Sequence, residues 1–194
     1  MSITLWVIII VVAVIVIAVI GIYNKLVKLN VRTNEAWSDI GVQLKRRYDL
    51  IPNLVDTVKG YAKQEKSVFK EVTEARASAM SAKGTKAKGE AENQITEALK
   101  SVFAVAESYP ELKSNQNFAK LQDELTDTEN KIEASRRFYN GNVREINIAV
   151  QTFPTNVFAN TLGFKKRDLF EAGEAVKEAP KVNFEDKKEQ KEKK

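Results

Sequence analysis

Residues 3–22 read ITLWVIIIVVAVIVIAVIGI, a run without a single charged side chain. As an α-helix it is ~30 Å long, the thickness of the hydrocarbon core of a bilayer. Trp6 and Tyr23 stand near its two ends, where amphipathic rings favour the headgroup layer. A cleaved signal peptide calls for a basic leader, a shorter apolar stretch and a small-residue cleavage site, and this run has none of the three. No cysteine is present to carry a lipid. The reading is an uncleaved transmembrane anchor over residues 1–24. Lys25, Lys28 and Arg32 follow the run while only the α-amine precedes it. The positive-inside rule therefore expects a single-pass protein of the cell membrane, with the N-terminus outside and the remainder cytoplasmic.

Beyond the anchor, periodicity changes to the 3,4 spacing of an amphipathic helix. Trp37, Ile40, Leu44, Ile51, Leu54, Val58 and Tyr61 fall on one face, with Arg47 in the slot between Leu44 and Ile51. This predicts a helix over 31–62, either separate from the anchor or running on from it. The stripe falters over 60–65 and resumes with Val68, Val72, Ala75 and Ala79. That pattern fits a second helix over 65–82, or one long helix through the same point. The small, basic, Gly-containing stretch 83–89 reads as a loop. A third helix carries Ile95, Leu99, Val102 and Ala106 and stops near Pro110.

Ser114 and Asn115 are N-cap candidates for the clearest stripe in the chain, Phe118, Leu121, Leu125, Thr128, Ile132, Ser135, Tyr139, Asn142, Ile146, Val150 and Phe153, which Pro154 ends. Four such helices with short connections imply an all-α fold. The simplest arrangement is an up-down antiparallel four-helix bundle of coiled-coil character over 25–176. From about 177 the chain turns to Lys and Glu with almost nothing to bury, which predicts a charged, disordered tail over 177–194.

Composition removes several chemistries. The chain has neither Cys nor His, so disulfides, thiolate nucleophiles, ordinary zinc sites and His-based acid/base work are excluded. A formal net charge of +5, part of it in a Lys-rich tail, is modest, and periodicity shows no basic face for nucleic acid. Glu124, Glu129 and Glu133 could suggest a carboxylate metal site on facing helices, but such sites also take His ligands. Ion pairs such as Glu133 with Arg137 are the expectation instead. No catalytic residue, metal, cofactor or small-molecule substrate is expected.

Specific strings carry more than periodicity. AWSDIGVQLKRRYDLIPNLVDTVKGYA (36–62), PELKSNQNFAKLQDELTDTENKIEASRRFYN (110–140) and FPTNVFANTLGF (153–164) closely resemble the LemA family of bacterial membrane proteins. The resemblance implies a membrane-anchored antiparallel helical bundle without established enzymatic activity. Family members are often encoded near membrane proteases and one branch belongs to magnetosome membranes, so it also implies roles in envelope stress or membrane organisation.

Two groups of residues are candidates for function. Arg47 is costly to bury alone in an apolar seam and needs a carboxylate. Counting up from Trp37 and back from Phe153 places it level with 142–145 of an antiparallel fourth helix, which makes Glu145 the expected partner. Pro52 cannot donate to the Tyr48 carbonyl, so a kink is expected, with Arg46, Asp49 and Asn53 as possible caps or partner-binding groups. The second group is Val157, Phe158, Leu162 and Phe164 with Lys165, Lys166 and Arg167. These residues either lie in the lipid headgroup layer or fold under the helices and close the core. Two functions follow. One is a non-enzymatic scaffold or adaptor presenting its helices to a protein partner at the bilayer, and the other a lipid-interacting, self-associating structural protein that shapes the membrane.

Overall fold

A computed structural model describes residues 2–170 of the chain, and every regular element among them is a helix. In order they are α1 (Ile3–Tyr61), α2 (Lys66–Ser81), α3 (Thr85–Glu107), the single turn α4 (Pro110–Lys113), α5 (Gln116–Gln151) and the short α6 (Thr155–Ala159). The tail expected over 177–194, and the last part of the helical region expected to reach 176, lie outside the described residues.

Helix α1 is continuous for 59 residues, about 88 Å at 1.5 Å per residue. The apolar run and the first amphipathic stripe are therefore one rod. Its N-terminal third is long and apolar enough to cross a membrane, and no part of that stretch is buried against protein. Burial begins where the run finishes. Leu26, Leu29, Thr33, Ala36, Ile40, Leu44, Arg47, Ile51, Leu54 and Val58 form an unbroken inward stripe. The Thr33 hydroxyl reaches that apolar face by donating to the Leu29 carbonyl at 2.7 Å.

Helix α5 packs most extensively on α1, and in opposite numerical sense. Asn115 at its head bonds the Tyr61 hydroxyl, Tyr139 stacks on Trp37 at 5.3 Å, and Ile146 and Ala149 cluster with Leu26 and Leu29. The Asn115 side chain caps α5 as expected, accepting from the Asn117 and Phe118 amides at 2.8 and 3.2 Å. Helices α2 and α3 pack on each other, and on the same core through Phe69, Val72, Ile95 and Val102. The expected loop over 83–89 shrinks to three residues. Gly84, at φ 81°, makes the reversal, and α3 begins at Thr85.

Below Phe153 the chain turns through α6 and reverses at Gly163, whose φ of 82° L side chains rarely adopt. The Phe164 amide donates back to the Ala159 carbonyl at 2.9 Å, and residues 164–170 then run as an extended strap beside α1 and α5. Two asparagines of α5 hold the strap by its backbone. Asn147 accepts from the Arg167 amide and donates to its carbonyl at 2.8 and 2.9 Å. Asn140 does the same for Phe170 at 2.8 and 3.0 Å.

Candidate functional site

The polar centre of the core is built around Arg47, which is 1% exposed. Burying that charge is tolerable only with acceptors around it, and both terminal nitrogens find them, while the buried Nε has no hydrogen-bond partner among the described residues. One terminal nitrogen reaches the Glu92 carboxylate at 2.7 Å and the Glu92 carbonyl at 3.0 Å. The other bonds Glu129 and the Thr96 hydroxyl. Glu92 is as deeply buried as Arg47, and its second carboxylate oxygen accepts from the Tyr48 hydroxyl. Glu129 is half-exposed and connects the cluster to solvent. Groups from α1, α3 and α5 thus meet at one point.

The expected Arg47–Glu145 pair does not form. Glu145 lies exposed near Lys25, Ile148 and Phe153 at the other end of α5. The register estimate set Trp37 level with Phe153, whereas Trp37 faces Tyr139, an offset of about four helical turns. The cause is that packing on α1 begins at Ile22 and Leu26, as soon as the apolar run ends, and not at Trp37.

Pro52 leaves the Tyr48 carbonyl without its helical partner, as its missing N–H requires. The cap comes from α2: the Arg76 Nε–H donates to that carbonyl at 2.8 Å. Arg46 instead pairs with Asp127 at 3.5 Å and Glu124 at 3.9 Å, while Asp49 pairs with Lys45 at 2.8 Å. Asn53 and Pro52 are exposed, with Asn53 lining a shallow surface depression beside Arg46 and Glu124. The Lys88 ammonium lies 5.2 Å from the centre of the Tyr48 ring and donates to the Ala79 carbonyl, tying α3 to α1 and α2.

Burial, reinforced by the Glu92 carboxylate, pushes the Tyr48 phenol well above its ordinary value of 10.0. Burial also raises Tyr139, and it pulls Arg136 down against the opposing pull of Glu129. For Tyr48 the sign follows from linkage: above pH 10 the unfolded chain loses a phenolic proton that the folded chain keeps. This contribution to stability is complete below pH 10 and is lost as pH rises further. Urea midpoints measured from about pH 8 to about pH 12 should fall at the alkaline end, and less steeply in Tyr48→Phe. An equal alkaline slope in both proteins would contradict the assignment.

Among the described residues no group of three or more His, Cys, Asp or Glu side chains could hold a metal ion. Glu133 pairs with Arg137, Glu129 with Arg47, and Glu124 with Arg46.

The second candidate group divides on inspection. Phe164 is half-buried and packs against the Leu26 and Ile146 cluster, with its ring 6.1 Å from that of Tyr23. Phe158 and Leu162 are also half-buried. Arg167 donates to the side chains of Asn30 and Asn34, both at 2.7 Å, and so belongs to the strap. Val157, Lys165 and Lys166 are exposed. Phe153, expected on the inward stripe, is instead 78% exposed. The physical reason is that α5 ends at Gln151, so the residues after it leave the helical phase that would have turned Phe153 inward.

Sequence reasoning missed Tyr48, Arg76 and Glu92, and the two backbone-clamping residues Asn140 and Asn147. Their roles come from contacts between distant segments, and only the freed Tyr48 carbonyl left a local trace.

Residues 36–184 match the model of a protein family described as the LemA family. Magnetosome protein MamQ 2 of Paramagnetospirillum magneticum is 26% identical over 175 residues, covering 77% of this chain and 64% of its own length. Magnetosome protein MamQ of Magnetospirillum gryphiswaldense is 24% identical over 174 residues, with 76% and 64% covered. Protein LemA of Metamycoplasma hominis is 26% identical over 156 residues, with 80% and 71% covered. The chain thus spans 64% of the length of the magnetosome proteins it matches.

Proposed function

The chain belongs to the LemA family, and from that premise we propose that it is a non-enzymatic, single-pass membrane scaffold or adaptor that holds a rigid helical body against the bilayer for a protein partner. The observation that carries this reading is the continuity of α1. One helix supplies both the apolar run and the inward stripe, so the body cannot swivel about a flexible linker. The interior ion pairs support a structural role, because they join α1 to α3 through Glu92 and to α5 through Glu129. The helices are read as an up-down four-helix bundle, a proposal supported by the reversed contacts of α5 along α1 and by the short α2–α3 connection.

The cytoplasmic side is favoured for this body. Lys25, Lys28 and Arg32 flank the apolar run, and the strap brings Arg167 beside Asn30 and Asn34 of the same stretch. Two of the three named relatives are magnetosome proteins, so a part in membrane organisation is proposed here by similarity, alongside envelope stress. An alternative is a self-associating structural protein that shapes the membrane, favoured by the apolar residues left exposed after α5. Chemical crosslinking in intact membranes separates the two. The adaptor reading expects discrete crosslinks to other proteins, and a ladder made only of this chain would instead select the alternative.

A further inference from the structure

The contact register places the end of α5 level with the end of the apolar run on α1. Phe164 packs on Tyr23, and Ala159 joins Leu26, Leu29 and Ile146. Yet the turn beyond leaves large apolar groups outside this packing: Phe153 is 78% exposed and Val157 59%.

Their surroundings are strongly cationic. Residues 23–34 and 144–168, which share this end of the molecule, contain the basic residues Lys25, Lys28, Arg32, Arg144, Lys165, Lys166 and Arg167, against only Glu145 and Asp168. Lys25 lines one shallow concavity together with Ile148 and Phe153. Exposed rings and branched aliphatic groups next to lysines are the chemistry of a segment lying in a bilayer interface, apolar groups down and cations over anionic headgroups.

We infer that the turn from Phe153 through α6 to Gly163 is a second membrane contact, in which Phe153 and Val157 enter the leaflet from which α1 emerges while Lys25, Lys165 and Lys166 sit over anionic phospholipid. This rests on the reading of α1 as a membrane span. It gives the helical body two fixed points on the bilayer, a rod and a wedge, so that the body is held at one tilt and one rotation. Phe164 acts differently: it packs against the Leu26 and Ile146 cluster and closes the core above the wedge.

The chain contains no cysteine, so single substitutions can be spin-labelled cleanly in the full-length protein. Labels at Val157→Cys, Ile10→Cys and Val42→Cys, in bilayers of phosphatidylcholine with and without phosphatidylglycerol, are compared by collision with oxygen and with a water-soluble nickel chelate. Ile10 lies in the apolar run, and Val42 is 61% exposed far along α1. The expected result is an oxygen-to-nickel ratio at 157 several-fold above that at 42, approaching that at 10, and falling when phosphatidylglycerol is left out. A ratio at 157 equal to that at 42, with 10 in lipid, overturns the wedge and leaves the span intact. A label at 157 shielded from both agents means that protein covers the turn, and overturns it as well. Equal ratios with and without phosphatidylglycerol overturn the role given to the lysines. An aqueous label at 10 removes the span, and the wedge with it.

Discussion

Replacing Glu92 with leucine should lower stability by about 3–5 kcal/mol, the usual consequence of leaving one member of a buried ion pair behind. Arg47 would keep its charge at 1% exposure with, among the described residues, only the half-exposed Glu129 carboxylate close by, and the Tyr48 hydroxyl would lose its acceptor. A urea titration followed by circular dichroism of the detergent-solubilised protein reads this as a lower midpoint at unchanged slope. The triple variant Arg47→Met, Tyr48→Phe, Glu92→Leu separates burial cost from shape. With no polar group left to satisfy among the three, it should recover to near the parent or beyond. A triple variant as weak as Glu92→Leu alone would show that the side chains act through packing and not through their charges.

Phe170→Ala should cost a similar amount, about 3–5 kcal/mol, because it empties a site enclosed on several sides. Phe170 is 1% exposed, with its ring 5.7 Å from Trp37 and 4.8 Å from the Arg136 guanidinium. Its backbone is clamped by Asn140. The loss should also free the strap, so hydrogen exchange at the Arg167 and Phe170 amides should accelerate along with the lowered urea midpoint. Asn140→Ala should accelerate the Phe170 amide with a smaller loss of stability, since the ring keeps its packing. Unchanged exchange in both variants would mean that the strap does not depend on these contacts.

Much of the helical content was legible because apolar side chains repeat at 3,4 spacing over long stretches. The stripe on α1 and that on α5 mark buried faces, apart from Tyr61 and Phe153, which stand exposed at or beyond the helix ends, and the Asn115 cap follows from its side chain alone. Arg47 was legible as a cost but not by partner, for two reasons. The register between α1 and α5 depends on where packing starts, and Leu26 and Leu29 look like a continuation of the apolar run. Glu92 lies in KGEAENQ, where one buried carboxylate resembles its exposed neighbours. The strap has no period at all: it is held through backbone bonds to Asn140 and Asn147, which in sequence are two ordinary polar residues of a helix.

In the function proposed above, a single helix leaves lipid and becomes the spine of the body in water. Membranes containing the full-length chain, and a chain lacking residues 3–22, can be washed with alkaline carbonate, which strips proteins held only at the surface. The full-length chain should stay in the membrane pellet, while the shortened chain should be released into the supernatant and keep its helical spectrum. Release of the full-length chain by the same wash would contradict that function.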